Sequence, residues 1–270
     1  MTLLLNAADP SQVLRLMREA ARGIPEWSQS DHEHWWNLAP EAVQSLAADR
    51  PVCAGVLVLL SGHHNGYVRE AAVRGLDGLT MPCVVPALRE RLNDWVEPVR
   101  RAALRAMCGF LSAEHAQALV GSLHLFDGLR RCGRADHQAV LDQIDMVLRE
   151  HAARPHVQAG LASPNPAIRR GCFAALIHGP DHDQWLAWGL EARDPWIRLR
   201  AARAIRALPP DRVPATWVDR IAVCSLRPVR QLACEMIAEQ GDVTRLRGFL
   251  VDQSPTVREF ASVVCQKSQS

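Results

Sequence analysis

Imidazole and carboxylate side chains crowd together twice in this chain, at Asp31-His32-Glu33-His34 and at His178-Gly179-Pro180-Asp181-His182-Asp183. Such groups could hold a metal ion. Neither run has the spacing that sets two histidines one turn apart on a helix with a glutamate between them, so both read as solvated loop residues. The eight cysteines (Cys53, Cys83, Cys108, Cys132, Cys172, Cys224, Cys234 and Cys265) include no CxxC, which removes the zinc ribbon and the thioredoxin-type pair. Most fall in helical patterns beside Ala and Leu, where a reduced thiol behaves as a small hydrophobe, as in a reducing cytoplasm. No serine stands in a GxSxG elbow, and no His accompanies Cys108, Cys172 or Cys234. A GxxxxGK[ST] phosphate loop is absent from a chain whose one lysine is Lys267. The sequence therefore assigns no catalytic residue, no metal ligand and no cofactor.

Arginine and tryptophan are the residues with chemistry to spare. Thirty of the 31 basic residues are Arg, and eight Trp stand against five Phe and one Tyr. With a net charge of only +2, the whole molecule offers no electrostatic case for nucleic acid or an anionic membrane. Residues 190–230 differ: nine arginines (193, 198, 200, 203, 206, 212, 220, 227 and 230) meet four acids (191, 194, 211 and 219), a local excess of five. Within that stretch Trp196, Arg200 and Arg203 lie at i, i+4 and i+7, on one helix face apart from the Ile197/Ala201/Ile205 stripe. Buried Trp and Arg are the usual anchors of protein interfaces, and the same pair can clamp phosphates or stack on bases. Arg74 and Arg105 extend the candidate surface.

A repeat must position these residues. Six segments begin with a β-branched residue and an arginine: Val68-Arg69, Val99-Arg100, Ile168-Arg169, Ile197-Arg198, Val229-Arg230 and Val257-Arg258. Four residues later comes a small side chain (Ala72, Ala103, Cys172, Ala201, Ala233, Ala261), and four later again an apolar one (Leu76, Met107, Leu176, Ile205, Ile237, Cys265). These positions form one helical stripe, the small residue admitting a neighbouring helix. Asn65-Gly66, Asn165-Pro166, Asp194-Pro195 and Ser254-Pro255 supply caps and first-turn residues. A shorter helical stretch precedes each marked helix, so each unit is an antiparallel pair of about thirty residues, with a degenerate unit between 113 and 151. The recurring arginine reads as a structural ladder, with contact to a ligand as the other reading.

Asp194-Pro195-Trp196-Ile197-Arg198 with Ala201, Ala202 and Ile205, and Asn165-Pro166-Ala167-Ile168-Arg169, resemble the HEAT-repeat family in its short form. The resemblance covers residues 51–267, and Val96 departs from it where Asp or Asn is expected. It implies an all-α fold, a right-handed α-solenoid of about seven antiparallel helix pairs over residues 51–270, forming one elongated domain with an N-terminal helical cap over residues 1–50. In the cap, residues 11–22 read as a helix capped by Ser11, residues 23–40 as a loop carrying Trp27, Trp35 and Trp36, and residues 41–48 as a second helix. The Trp-rich loop is either a cover for the first repeat or a recognition element.

Relatives of the HEAT class narrow the chemistry. A HEAT-type di-iron hydroxylase carries His-Glu pairs after the arginine, and none of the six segments has one. The HEAT-like alkylpurine DNA glycosylases use a cationic surface with a Trp-Trp-Asp stretch. Trp35-Trp36 is faintly similar, but Asn37 follows where the acid belongs. The phycobilin lyases share short repeats without a distinctive motif to match. The leading expectation is a non-catalytic, cytoplasmic protein-binding scaffold whose concave Arg/Trp surface meets a partner with an acidic patch. A bacterial adaptor or an immunity or inhibitor protein would suit it, by analogy of fold. A nucleic-acid-binding protein is the alternative. The longest apolar run, residues 52–60, is too short for a bilayer, and residues 1–17 lack the pattern of a signal peptide.

Overall fold

A computed structural model of the chain describes residues 10–21 and 29–268. The regular structure of these residues is all helical, and no strand occurs among them. None of their helices is long and apolar enough to cross a membrane. The helices group into two compact units, Met1–Ala175 and Leu176–Ser270.

The first unit opens with α1 (Pro10–Ala21), α2 (Gln29–Trp36) and α3 (Pro40–Leu46). Pairs follow: α4 (Arg50–Leu60) with α5 (Gly66–Leu76), α6 (Val84–Leu92) with α7 (Glu97–Cys108), α8 (Ala116–Phe126) with α9 (Gln138–Arg149), and α10 (Arg154–Gly160) with α11 (Pro166–Leu176). The second unit pairs α12 (His182–Glu191) with α13 (Pro195–Arg206), α14 (Ala215–Ala222) with α15 (Arg227–Glu239), and α16 (Val243–Arg247) with α17 (Pro255–Lys267). Within the units, second helices stack on second helices (α5 on α7, α13 on α15, α15 on α17) and first on first (α6 on α8, α8 on α10).

The apolar stripe explains the stacking. All eighteen of its side chains are buried, from Val68, Ala72 and Leu76 in α5 to Val257, Ala261 and Cys265 in α17. Its small middle position lets helices approach closely. At Gly160 an added Cβ would stand 2.3 Å from the Cys172 sulfur, so the approach there tolerates no side chain on α10. Ahead of the second helices, Asn65, Asn165 and Asp194 accept from the backbone N–H two residues on, at 2.9–3.0 Å. These bonds satisfy donors that a helix start leaves orphaned.

The structure departs from the sequence reading at Ser11 and at residues 29–36, and it places a degenerate unit where one is expected, between 113 and 151. Ser11 lies inside α1, because Pro10 opens the helix, as its fixed φ allows. Residues 29–36, read as loop, form α2. Gln-Ser-Asp-His-Glu-His-Trp-Trp carries no apolar period, so its helix was invisible to patterning. The degenerate unit is the α8/α9 pair: Val140, Ile144 and Leu148 keep the buried stripe, but Ile144 fills the middle position and no arginine follows Val140. The N-terminal helices lie against the first repeats, α1 on α4 and α6, α3 on α5. Val13, Leu14, Met17 and Val43 are buried in those contacts.

Candidate functional site

The recurring arginine is largely occupied with holding turns. Arg69 donates through Nη1 to the His63 and His64 carbonyls, both at 2.9 Å. Arg169, Arg230 and Arg258 each grip the equivalent two carbonyls of the turn before their own helix, and Arg100 grips one, at Asp94. In two places an aspartate of the next turn makes the grip bidentate. Arg69 forks onto Asp94 with both bonds at 2.9 Å, and Arg230 forks onto Asp252 at 2.7 and 2.9 Å. Asp94 and Asp252 also accept the Val96 and Ser254 N–H groups, at 2.9 and 2.7 Å. The missing acid at Val96 is thus supplied two residues earlier. Arg198 faces Cys224 where an acid would be, and donates to Ser225 Oγ at 3.2 Å instead. Burial pushes the Asp94 carboxyl up, but the Arg69 bonds, the Val96 N–H and the Arg91 charge outweigh it and leave it below its ordinary 3.8.

On α13 the Asp194 cap and Pro195 fix the helix start, and Ile197, Ala201, Ala202 and Ile205 face inward. Trp196, Arg200 and Arg203 are thereby turned away from the core. Trp196 is 37% exposed, and the Arg200 guanidinium carbon sits 5.1 Å from its ring centroid. The three line one cavity of about 350 Å³ with Ile177, His178, Leu199 and Ala204. His178 belongs to the second of the imidazole and carboxylate runs in the sequence. It lines this cavity, while His182 Nε2 lies 2.9 Å from Asp183. Ile177 and Leu199 were missed, since an apolar residue beside a core stripe gives no signal of facing a cavity.

Part of the charge of residues 190–230 is neutralised from outside that stretch, by Glu235, Glu239, Asp183 and Asp252, and Glu191 serves from within it. Arg206 pairs with Glu235 and Glu239, Arg212 with Asp183 at 3.6 Å, Arg220 with Glu191 at 2.7 Å, and Arg230 with Asp252. Arg193, Arg203 and Arg227 are exposed and make no ion pair among the described residues. Of these, Arg203 is the one at the cavity.

Arg74 and Arg105 line a different cavity, of about 470 Å³, between α5 and α7 in the first unit. Its walls mix charges. Arg74 is 2.5 Å from Glu70, and Asp77 and Arg101 also contribute. A third cavity, about 460 Å³ and largely apolar, lies on the first helices α6, α8 and α10, lined by Pro82, Pro86, Val120, Ala159 and Ile168 among others.

Trp27 lies outside the described residues. Trp35 and Trp36 end α2 and sit on the first repeat's turn. The fully buried His63 accepts the Asn65 N–H at Nδ1 (3.1 Å), which leaves Nε2–H to donate to the Trp35 carbonyl at 2.7 Å. Trp36 packs on His64, ring centroids 4.0 Å apart. Burial, with His64 and Arg69 nearby, holds the His63 pKa below its ordinary 6.5. Tyr67 and Trp95, at 73% and 70% exposure, are further surface aromatics that the sequence did not single out.

No family model matches the chain, and no curated protein matches it. Solved structures do. The complex of CpcE and CpcF of phycocyanin lyase from Nostoc sp. PCC7120 is similar at 16% identity over 93% of this chain and 94% of that one, with a TM-score of 0.28. An archaeal HEAT-like repeats protein from Thermococcus onnurineus NA1 is similar at 12% identity over 90% and 97%, TM-score 0.27. An engineered protein is similar at 17% identity over 95% and 88%, TM-score 0.33. At such low scores it is the chain's own elements that carry the description: paired helices, a buried stripe of fixed spacing and an arginine ladder from turn to turn, an all-α array of HEAT-like repeats.

Proposed function

We propose that this helical repeat scaffold is a non-catalytic binding protein that holds a partner protein bearing an acidic patch. Trp196, Arg200 and Arg203 are the anchors, and Arg74 and Arg105 form a second contact cluster. The observation that carries this reading is the Trp196–Arg200 stack beside a cavity whose other cation, Arg203, has no carboxylate in ion-pair reach among the described residues. A half-exposed aromatic held against a guanidinium is the kind of group that dominates interface energies. An adaptor or inhibitor role, in which the scaffold blocks or positions its partner, suits such a surface.

Arginine accounting favours a protein over a nucleic-acid duplex as that partner. A duplex binder draws its affinity from many phosphate contacts, on the order of six to ten for a strongly salt-dependent complex. Here most arginines of the basic stretch are committed to carboxylates or to turns.

The test is affinity purification of the full chain from its native host, run beside the Trp196→Ala/Arg203→Glu variant. A partner retained by the wild type and lost by the variant is expected. Duplex DNA binding at low salt that falls steeply with added salt and disappears in Arg200→Ala/Arg203→Ala would replace this reading with the nucleic-acid one.

A further inference from the structure

Resting on that reading, we infer that the cavity beside Trp196 takes a linear acidic segment of the partner: an apolar side chain seats on Ile177, Leu199 and Ala204, and a neighbouring carboxylate meets Arg200 and Arg203.

Three features lead there. The first is size. A cavity of about 350 Å³ sits at the low end for ligand pockets, roughly 300–1,000 Å³, and holds one or two side chains. A folded surface could only lie across it, whereas an extended segment can insert. The second is charge. The lining holds two arginines and a histidine and no carboxylate, so an incoming anion meets no like charge. The cavity of the first unit is the contrast, since Glu70 and Asp77 line it and Glu70 already engages Arg74. The third is chemistry. The floor is aliphatic, with Ile177 only 7% exposed, so burying an apolar group there costs no polar partner. Around it the guanidiniums offer forked donors that match a carboxylate two bonds at a time. Stacking on Trp196 restrains Arg200 before anything binds, which reduces the ordering cost that a long side chain otherwise brings to an interface.

An isolated anion would use the arginines and leave the floor empty. A purely apolar peptide would leave Arg203 without a carboxylate. Only a segment carrying both groups side by side satisfies both halves of the site.

Short random linear peptides displayed on phage, panned against the full chain, test this without presuming a partner. The expected enrichment pairs Asp or Glu with Leu, Ile or Phe. Synthetic copies of the winners should bind about tenfold more weakly to Trp196→Ala and to Arg203→Ala than to the wild type, and as tightly as to the wild type to Arg227→Ala, whose exposed arginine lies off the cavity. Replacing the peptide's acids by Asn or Gln should weaken binding similarly. Circular dichroism of each variant confirms that it is folded. Enrichment of peptides without acids, binding that survives both cavity substitutions, or displacement by inorganic phosphate alone would overturn the inference. If a partner protein needs Trp196 and Arg203 while no panned peptide does, the scaffold reading stands and the linear-segment inference falls.

Discussion

Asp94→Ala should be among the most damaging single substitutions in the first unit. The carboxylate accepts four bonds: two from Arg69, one from Arg91 at 2.7 Å, and the Val96 N–H at the start of α7. The Arg69 and Asp94 side chains are 3% and 1% exposed, so water cannot replace what is lost. Removing one partner of a buried pair costs about 3–5 kcal/mol, mostly because the other charge stays behind in a dry site. Arg69 would keep only its bonds to the His63 and His64 carbonyls. At about 1.4 kcal/mol per factor of ten, the opening equilibrium should rise by roughly two to four orders of magnitude. Native-state hydrogen exchange read by mass spectrometry is the suitable assay, because two compact units make a single unfolding free energy ambiguous. Peptides from α5 to α7 should lose protection while those from α15 to α17 keep it. The double substitution Arg69→Met/Asp94→Leu should cost less than Asp94→Ala alone, since it removes both charges together. A loss below about 1 kcal/mol for Asp94→Ala, no more than a surface pair gives, would refute the claim that this ladder step is a buried, mutually dependent pair.

Gly160→Ala should destabilise by about 1–3 kcal/mol, as overpacking does. Its Cβ would meet the Cys172 sulfur at 2.3 Å and Val120 Cγ1 at 2.9 Å, and adding Cys172→Ala should restore much of the loss in thermal melts. If Gly160→Ala melts like the wild type, that close approach is not constraining. Thiol labelling of the native chain should modify the exposed Cys108 quickly and spare Cys172 and Cys234, whose pKa values burial pushes up to about 12 and about 11. Equal labelling rates for the three would contradict their placement. Acidification should loosen the seat of α2. The His63 pKa is lowered in the folded chain, so below 6.5 the unfolded chain holds the extra proton and stability falls as pH drops toward the folded value. Protonation also places a second N–H against the Asn65 N–H that Nδ1 accepts. His63→Gln, which keeps a neutral donor and acceptor, should flatten the pH dependence of exchange in α2, corrected for the intrinsic rate. An unchanged slope in that variant would remove His63 as the cause.

What the sequence made legible was what repeats locally. The stripe of Val68, Ala72 and Leu76 and its counterparts announces itself by spacing within one helix, because a 3.6-residue period needs no knowledge of the neighbours. The same rule hid the exceptions. Ile144 satisfies the burial requirement of its stripe but breaks the small-residue pattern, and α2 is held by its contacts with the first turn, through His63 and His64, rather than by any periodicity of its own. Asp94 shows a subtler failure. The repeat pattern expects an acid at Val96, yet the function of an acid there, to accept a backbone N–H and anchor the preceding arginine, is performed from two residues upstream. A position in a motif can be vacated when a neighbour reaches the same atoms.

Charge was the least legible property, for a reason that follows from the architecture. In stacked helix pairs, side chains meet their partners about one repeat away in sequence. Arg212 and Asp183 are 29 residues apart, Arg220 and Glu191 also 29, and Arg230 and Asp252 are 22 apart. Counting charge along a continuous stretch therefore separates some cations from the acids that neutralise them. Glu191 lies within residues 190–230, but Asp183, Glu235, Glu239 and Asp252 lie outside, and their omission made that stretch look like a basic field. Counted across repeats, the excess contracts to a few arginines, of which Arg200 and Arg203 adjoin a cavity free of acids. The binding hypothesis is thereby changed in kind. A broad cationic surface would attract many anions by long-range field and lose them to salt. Two guanidiniums beside an aliphatic floor act at contact distance and discriminate by shape. Binding at the Trp196 site should accordingly weaken little with added salt and strongly with loss of the apolar floor, as in Leu199→Ser.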